Sequence, residues 1–473
     1  MLLNRRWTAL LTVKVVYTTL LNTVLIERDK FLKKVREERL KGHLYLRFSA
    51  ERKGMQSTQR YRTKGKFSFR PAWLDVTVGL FLENCNYPLR SKYFGCTMND
   101  SREALLNYSS SQFQFVLKDD APVVPSDGSE FDRLLIKSWN KAKKLGVFKY
   151  DLNLLFKSLP GKYGLTAQLN CERAKHRRKP HHFKSIKDTF DARRFNFSKI
   201  DHSEILMKLH KEDQENTTII GQTTCKNNDV INDSYLIINN SPMGPGHSLL
   251  IPSLNGSLPQ ILTLYSIRLA VEIMLMSSCR YFHIVFNSIL ALASVNHLHL
   301  HAYYWPYRTK LIEWPQSQLC PGINLIKDWI LPCFVVQLLD KDLDGFVWRV
   351  HKIIDYLTLS ETPHNVFVAR APKWRTSDSS GIENSKSSQV QSESLYVTFY
   401  IFPRKPLYGT KPITTLAPAS CEMGGHVLVY NTWAFQELNE EKVVRIMSEE
   451  AKLDQDQFDA HCQRIRSLFT SSI

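Results

Sequence analysis

The chain has 473 residues and a mass of 54.9 kDa. This length exceeds the roughly 250–300 residues at which single hydrophobic cores tend to split, so we expect at least two core units and exclude a small disulfide-stapled module. With 43% apolar and 23% charged residues, the composition is that of a globular protein. The net charge of +18 is concentrated in residues 1–100, which hold 20 basic and 8 acidic residues, so the main body indicates no specific nucleic acid partner.

The cysteines and one apolar stretch bear on the location of the protein. Nine cysteines are scattered without a C-x-x-C pair, which is typical of a reducing compartment, so we predict a cytoplasmic protein. The stretch from Trp7 to Ile26 has a membrane-like composition, but Lys14 and Asn22 interrupt it. A spanning helix needs about 20 mainly apolar residues, so we expect no membrane association.

Composition shifts divide the chain into four segments. Residues 1–119 form a basic N-terminal extension that we predict to be partly disordered. Residues 120–370 form the main folded region, and residues 371–394, rich in Ser, Asn, Gln and Lys, are predicted to be a disordered loop. Residues 395–473 complete the same folded unit.

Two helices stand out along the main region. Apolar residues recur at helical spacing from Phe131 until Pro160 interrupts the pattern. A polar stretch at residues 210–233 predicts a surface loop. Pro259 predicts the first turn of a second helix, which is largely buried and runs to Met276.

Short runs of β-branched, aromatic and other apolar residues predict strands between and after these helices. The runs are Tyr235–Ile238, Arg280–Phe286, Val295–Tyr304, His364–Arg370 and Tyr396–Phe402. Helices and strands alternate without a βαβ rhythm, and neither G-x-G-x-x-G nor G-x-x-x-x-G-K-S/T occurs, which disfavours Rossmann and P-loop enzymes. We therefore predict an α+β fold of antiparallel sheets that carry helices on one side.

The sharpest chemical signal is the alternation of three histidines within the predicted strand Val295–Tyr304. Alternate side chains of a strand share a face, so His297, His299 and His301 are predicted to line one wall. Three interpretations remain open on this pattern alone. The imidazoles could bind zinc, a central imidazole could attack phosphorus with its neighbours orienting it, or the histidines could be idle.

A basic block and a glycine turn shift the balance toward phosphorus chemistry. Arg173, Arg177 and Arg178 lie with two lysines within seven positions, and guanidinium groups bind phosphate through paired hydrogen bonds. A solvated basic face or contact with nucleic acid is the alternative for this block. His247 follows a glycine turn directly before an apolar run, which is a weak signal by itself.

Together these segments resemble the histidine-triad superfamily and, within it, the GDP-D-glucose phosphorylase family, which is related to plant GDP-L-galactose phosphorylase. The resemblance extends from about Phe131 to about Phe469 and implies histidine-triad-like antiparallel sheets in two related halves. It rests on the blocks SWNKAKKLGVFKYDL, AQLNCERAKHRRKP, FNFSKI, INNSPMGPGHSLLIP, FNS, ASVNHLHLHAYY and HNVFVAR.

The resemblance implies a reaction and a set of roles. GDP-D-glucose and inorganic phosphate would give GDP and glucose 1-phosphate, with no cofactor and no metal. By the family pattern, His299 attacks the α-phosphorus and forms a guanylyl-histidine, while His297 and His301 flank it. A double displacement of this kind predicts ping-pong kinetics. The residues implied to bind phosphates or to support the pocket are Arg173, Arg177, Arg178, Asn287 and His247.

The chain departs from the family pattern beside the triad. Leu290 and Ala291 replace a usual glycine pair, and Ala302 replaces a usual glycine after the triad. Glycine permits positive φ and close approach of the backbone to a ligand, so we expect Leu290 to crowd or shift the phosphate loop and restoration of both glycines to raise turnover. The alternatives are a histidine-triad nucleotide hydrolase, a catalytically weak nucleotide-binding regulatory protein and a zinc-binding module.

Overall fold

The computed structural model describes residues 104–176, 178, 181–212, 234–374, 393–409 and 416–470. All of them belong to the second of two compact units of the chain, Met98–Ile473. The apolar stretch Trp7–Ile26, most of the predicted loops at 210–233 and 371–394, and Arg177 lie outside the described residues. No helix in the described ranges is both long and apolar enough to cross a membrane.

The helices begin where polar side chains can cap them. Ser129 accepts a hydrogen bond from the backbone N–H of Asp132, and Thr263 does the same for Ser266, so each cap satisfies an amide of the first turn. The second predicted helix therefore begins at Leu264, and Pro259 lies in the segment before it. The helices are α1 (Glu130–Lys144), α2 (Cys171–His176), α3 (Leu264–Met276), α4 (Leu343–Leu359), α5 (Ser420–Met423), α6 (Thr432–Glu437), α7 (Glu440–Ala451) and α8 (Gln455–Thr470).

The strands form two sheets. In chain order they are β1 (Ala104–Tyr108), β2 (Val116–Lys118), β3 (Leu155–Leu159), β4 (Leu165–Leu169), β5 (Ile205–Lys211), β6 (Ser234–Ile238), β7 (Ser248–Ile251), β8 (Phe282–Asn287), β9 (Leu300–Tyr304), β10 (Ser317–Cys320), β11 (Ile323–Ile326), β12 (Cys333–Gln337), β13 (His364–Pro372), β14 (Ser394–Pro403) and β15 (His426–Val429). Within the described ranges, the main sheet has twelve strands in the order β1-β5-β6-β7-β9-β8-β13-β14-β12-β11-β10, with β2 beside β14. The smaller sheet has the order β15-β4-β3.

The main sheet consists of two halves with the same topology. Strands β5, β6 and β7, helix α3, and strands β8 and β9 follow one another and take the sheet order β5-β6-β7-β9-β8. Strands β10, β11 and β12, helix α4, and strands β13 and β14 repeat this succession as β10-β11-β12-β14-β13. The halves join where β8 pairs antiparallel with β13. The predicted α+β fold with two related halves is confirmed.

Both faces of the main sheet are covered, which differs from the expected helices on one side. Helices α1, α3, α4 and α8 pack on one face through residues such as Leu135, Ile267 and Phe458. The smaller sheet, α6 and α7 cover the other face, where Tyr303 and Phe367 belong to the core. Burying both faces is the physical reason why the central strands contain nearly continuous apolar runs instead of a strict alternation.

Strands β1 and β2 precede residue 119, where we placed the end of the N-terminal extension. Strand β1 pairs parallel with β5, and β2 pairs antiparallel with β14. The buried guanidinium of Arg370 donates to the carbonyl oxygens of Gln114, Phe115 and Met274, at 2.7, 3.2 and 3.0 Å. These bonds tie the segment before residue 119 to the centre of the sheet.

The strand that carries the histidines is shorter than predicted. Strand β9 begins at Leu300, so His297 and His299 lie in the irregular segment that leads into it, and His301 alone lies within it. The far end of β9 is held by α1, since the hydroxyl of Tyr304 donates to the buried carboxylate of Asp132 at 2.7 Å. The sheet thus fixes one side of the histidine segment and leaves the other side to local contacts.

Candidate active site

A cavity of about 180 Å³ opens where β8 ends and β9 begins. Five of the residues singled out from the sequence line it: His299, His301, Asn287, Arg173 and Arg178. The remaining wall combines apolar and polar side chains, among them Phe195, Phe197, Ile237, Leu249, Glu204 and Glu422. A mixed wall of this kind suits a ligand with an aromatic base at one part and phosphates at another.

The ring of His299 has a defined proton position. Its Nδ1 lies 2.8 Å from the carbonyl oxygen of His297, and a carbonyl only accepts, so Nδ1 carries the proton and donates. In the neutral ring, Nε2 therefore has a free lone pair. His299 is almost fully buried and its ring lies edge-on to Phe197, at 5.0 Å between ring centroids. The geometry thus gives His299 an unprotonated nitrogen at the cavity.

The hydrogen bond between His247 and His301 determines which ring nitrogen of His301 carries its proton. The Nδ1 of His247 accepts from the backbone N–H of Met243 at 2.9 Å, so a neutral His247 carries its proton on Nε2. That Nε2 lies 3.1 Å from Nδ1 of His301 and must donate to it. His301 therefore carries its own proton on Nε2, as a hydrogen-bond donor. The nucleophile candidate and its neighbour thus have opposite tautomers.

His297 occupies a different place from the one the alternation predicts. It is fully buried, it does not line the cavity, and its Nδ1 accepts from the backbone N–H of Phe197 at 3.0 Å. Its Nε2 has no hydrogen-bond partner within the described part of the chain. The structure brings His299 and His301 together at the cavity and sets His297 behind them, where its carbonyl orients the His299 ring.

Burial keeps these imidazoles neutral. Desolvation lowers the pKa of His297 and of His299 from 6.5 to about 4. Burial also holds the pKa of His247 and of His301 well below 6.5, and the neighbouring Arg173 acts in the same direction. At neutral pH the rings therefore keep the proton positions that their hydrogen bonds assign.

The arginines and Asn287 supply polar groups around the cavity. Arg173 donates from its guanidinium to the carbonyl of Ser241, and its buried Nε has no partner among the described residues. Arg178 stacks on Phe195, with 3.1 Å between its Cζ and the ring centroid. Asn287 accepts through Oδ1 from the side-chain amide of Asn365 at 2.6 Å and from the backbone N–H of Ser420 at 3.0 Å.

Two cavity residues carried no signal in the sequence. Glu422 follows the triad by more than a hundred positions, and only the fold brings it to the cavity. Its buried carboxylate accepts from the backbone N–H groups of Ala419 and Leu428, and burial raises its pKa to about 7. Cys421 beside it is a buried free thiol. The described residues contain no group of three or more His, Cys, Asp or Glu side chains that could hold a metal ion.

The loop after β8 explains the departures from the family glycines. Leu290 has φ of 61°, a backbone conformation that favours glycine, but its side chain packs on Phe183 and Ile186 and does not line the cavity. The expected crowding of a phosphate loop by Leu290 is therefore wrong. Ala302 lies on the opposite face of β9, in the main core. The strained residue at the cavity is Leu292, with φ of 75°.

The two-halved antiparallel sheet and the neutral histidines at a polar cavity agree with the histidine-triad-like fold predicted from the sequence. Residues 130–303 match the family model described as "GDPGP1-like, N-terminal domain", and residues 316–472 match "GDPGP1-like, C-terminal domain". The chain therefore belongs to the GDP-D-glucose phosphorylase family, as the sequence predicted. The boundary between the two matched domains falls between the two topological halves of the sheet.

Individual relatives agree with this assignment. The chain is 41% identical to GDP-D-glucose phosphorylase 1 of Caenorhabditis elegans over 334 residues, which is 70% of this chain and 66% of the relative. It is 36% identical to the Homo sapiens protein of the same name, over 70% of this chain and 82% of the relative. Identity to GDP-L-galactose phosphorylase 2 of Arabidopsis thaliana is 27%, over 69% and 74% of the two chains.

Among solved structures, the chain is similar to the yeast Ap4A phosphorylase Apa2 in complex with Ap4A. The TM-score is 0.44 and the sequence identity 15%, with coverage of 68% of this chain and 96% of the yeast chain.

The two strained leucines offer a matched test. In Leu290→Gly, relief of about 1–2 kcal/mol of backbone strain is outweighed by the lost buried side chain, so we expect a loss of about 3 kcal/mol in the free energy of unfolding and unchanged turnover. In Leu292→Gly, relief of backbone strain offsets the loss of a half-buried side chain, so we expect the free energy of unfolding to change by no more than about 1 kcal/mol. Urea unfolding and steady-state assays measure both, and a rise in turnover in Leu290→Gly would restore the crowding hypothesis.

Proposed function

We propose that this chain is a GDP-D-glucose phosphorylase that cleaves GDP-hexose with inorganic phosphate, giving GDP and hexose 1-phosphate. The observation that carries the proposal is the position of the ring protons at the cavity. Nε2 of His299 keeps a lone pair, and Nε2 of His301 carries a proton and is a donor. Membership of the family supports the choice of substrate. GDP-hexose and phosphate are the ligands that the mixed cavity would accept.

In the first step, Nε2 of His299 attacks the α-phosphorus and forms a P–N bond. The bond from this phosphorus to the bridging oxygen breaks, and hexose 1-phosphate leaves with the electron pair. No base is needed for the attack because the neutral ring already carries its proton on Nδ1, and the carbonyl of His297 stabilises the positive charge that develops on the ring. The donor of His301 stabilises the charge on a non-bridging oxygen.

In the second step, an oxygen of inorganic phosphate attacks the guanylyl phosphorus, the P–N bond breaks, and GDP leaves while its electron pair returns to Nε2 of the neutral His299 ring. Arg173 and Arg178 are the proposed binding groups for the substrate phosphates and the incoming phosphate, since guanidinium groups bind such oxygens in pairs. The Asn287 side chain accepts both of its hydrogen bonds through Oδ1, so its amide N–H groups are the donors proposed for a phosphate oxygen. His247 supports His301 through its proton position, and Arg177 remains a candidate from the sequence alone.

We further propose that the chain works in the cytoplasm. The six cysteines of the described residues are free, five of them buried, which suits a reducing compartment. Immunolocalisation to the cytoplasm is the expected result, and localisation to the secretory pathway would contradict it.

The reaction can be tested by separating its two steps. With GDP-glucose labelled at the α-phosphate and no inorganic phosphate, we expect about one equivalent of glucose 1-phosphate and a label that stays on the protein. Added phosphate should convert the adduct to GDP and allow turnover. His299→Ala should abolish both steps, whereas His210→Ala, which removes an exposed histidine of β5, should leave them unchanged.

Each alternative function gives a different result in this assay. Release of labelled GMP into water, independent of phosphate, would show a hydrolase. Binding of GDP without product or adduct would show a nucleotide-binding protein. Adduct formation by His299→Ala would disprove the assignment of the nucleophile.

The lowered pKa of His299 predicts an unusual pH profile. Protonation blocks the lone pair only near pH 4, so the single-turnover rate of adduct formation should change less than twofold between pH 8 and pH 6. A nucleophile with the ordinary pKa near 6.5 would lose about fourfold over this interval. Rapid-quench measurements give the rate, and circular dichroism confirms that the protein stays folded. A fourfold fall in the rate of adduct formation, in protein that stays folded, would contradict a neutral buried ring.

A further inference from the structure

Antiparallel pairing between β8 and β9 stops two residues short of the candidate nucleophile. The ladder runs from Phe282 opposite Tyr304 to Val285 opposite His301. Continued for two residues along each strand, the same register would place Asn287 opposite His299. Asn287 and His299 do not form that pair in the described sheet, so the backbone of His299 is fixed by something other than the sheet.

The side chain of Gln260 takes the place of the missing pair. Its Oε1 accepts from the backbone N–H of His299 at 2.9 Å, and its Nε2 donates to the carbonyl of the same residue at 3.0 Å. Nε2 also donates to the carbonyl of Asn287 at 3.0 Å. One carboxamide thus bridges the end of β8 and the residue before β9, and the Gln260 side chain is almost fully buried.

The backbone around Gln260 is itself anchored to the histidine segment. The carbonyl of Leu258 accepts from the N–H of Leu298 at 2.9 Å, and the N–H of Gln260 donates to Oδ1 of Asn296 at 2.8 Å. Asn296 in turn donates to the carbonyl of Asp188 at 2.8 Å. The segment from Leu258 to Gln260 therefore lies along the histidine segment as a strand partner would.

We propose that Gln260 is the positioning residue of this site, which holds the backbone of His299 so that Nδ1 stays on the His297 carbonyl and Nε2 stays at the cavity. This inference rests on the proposed function. Gln260 does not line the cavity, so it acts through His299 and not on the substrate. A displacement of about 1 Å in a reacting group can cost on the order of 100-fold in rate, which sets the size of the expected effect.

Only a carboxamide of this length meets the geometry. The site needs one acceptor for an N–H and two donors for carbonyls, and glutamate in its ionised form offers acceptors alone. In Gln260→Glu, burial and two facing carbonyls raise the pKa of the new carboxyl group, and its protonated form regains one donor. The variant therefore acquires a titration that the wild-type protein lacks.

The experiment compares Gln260→Glu with Gln337→Glu. Gln337 is a half-buried glutamine at the end of β12. Its Nε2 donates to the carbonyls of Ala371 and Pro372, and its Oε1 accepts from the N–H of Trp374. It therefore makes the same kind of bridge at a distant place in the sheet. In Gln260→Glu we expect adduct formation to be slowed roughly 100-fold at pH 8.5 and to recover as the pH falls to 6, with GDP affinity unchanged. Gln337→Glu should keep the wild-type rate and pH profile.

Each outcome decides the proposal. Gln260→Glu with the wild-type profile, or with the same loss as Gln337→Glu, would overturn it. If Gln260→Glu does not fold, Gln260→Met keeps the side-chain volume, and it should lower the adduct rate without changing GDP affinity; loss of affinity alone would overturn the proposal.

A separate measurement keeps the positioning role distinct from the proposed function. If wild-type protein binds GDP-glucose and forms no adduct, the proposed function fails. Positioning is then read from ¹⁵N NMR of the His299 ring, which should lose its fixed Nδ1–H tautomer in Gln260→Glu at pH 8.5 and regain it at pH 6. An unchanged ring signal over this range would overturn the proposal independently of activity.

Discussion

A single hydrogen bond, from Nδ1–H of His299 to the carbonyl oxygen of His297, decides what the cavity can do chemically. It places the proton of the neutral ring on Nδ1 and leaves a lone pair on Nε2, so the proposed attack on phosphorus needs no proton transfer. The bond lies within three consecutive residues, so it depends on the backbone of the histidine segment more than on any distant side chain. The rest of the site serves to keep that short piece of backbone in one conformation.

Burial keeps the His299 ring neutral, and it also leaves a neighbouring polar group without a hydrogen bond. An imidazole in water would be partly protonated near neutral pH, whereas the apolar surroundings of His299 favour the neutral ring. The same surroundings leave Nε2 of His297 without a partner in the described structure, and an unpaired buried donor costs about 1–3 kcal/mol. The ring of His297 offsets part of this cost, because its Nδ1 accepts from the backbone N–H of Phe197 at 3.0 Å.

The central strands and the place of the site could be predicted from the sequence because both leave local patterns, whereas the phosphorus chemistry came from the family resemblance and stays a prediction. The apolar runs at β6, β8, β13 and β14 and the alternation of histidines are visible without any tertiary information. The start of β9 was not predictable, because Leu258 and Gln260 replace the sheet partner of the residues before Leu300, and such a replacement leaves no periodic signal. Glu422 was missed for a similar reason, since only the fold connects it to the triad.

The alternation of histidines also predicted too much. A strict strand would have placed three equal imidazoles on one wall, whereas the irregular backbone before β9 sends His297 behind the other two. The substituted glycines misled for the opposite reason. Positive φ at Leu290 is compatible with a buried leucine when the side chain finds its own small core, and this core lies away from the cavity.

The two halves of the sheet share a topology but contribute different groups to the cavity. Strand β14 holds the position in the second half that β9 holds in the first, yet it carries Tyr400 and Phe402, which belong to the core. The second half contributes instead to the closure of the site, because the side chain of Asn365 and the backbone of Ser420 both donate to Oδ1 of Asn287 across the junction. The proposed nucleophile, His299, thus belongs to the first half, and the second half supplies part of the facing cavity wall, including Glu422. The junction between β8 and β13 therefore fixes the distance between that nucleophile and the groups that face it.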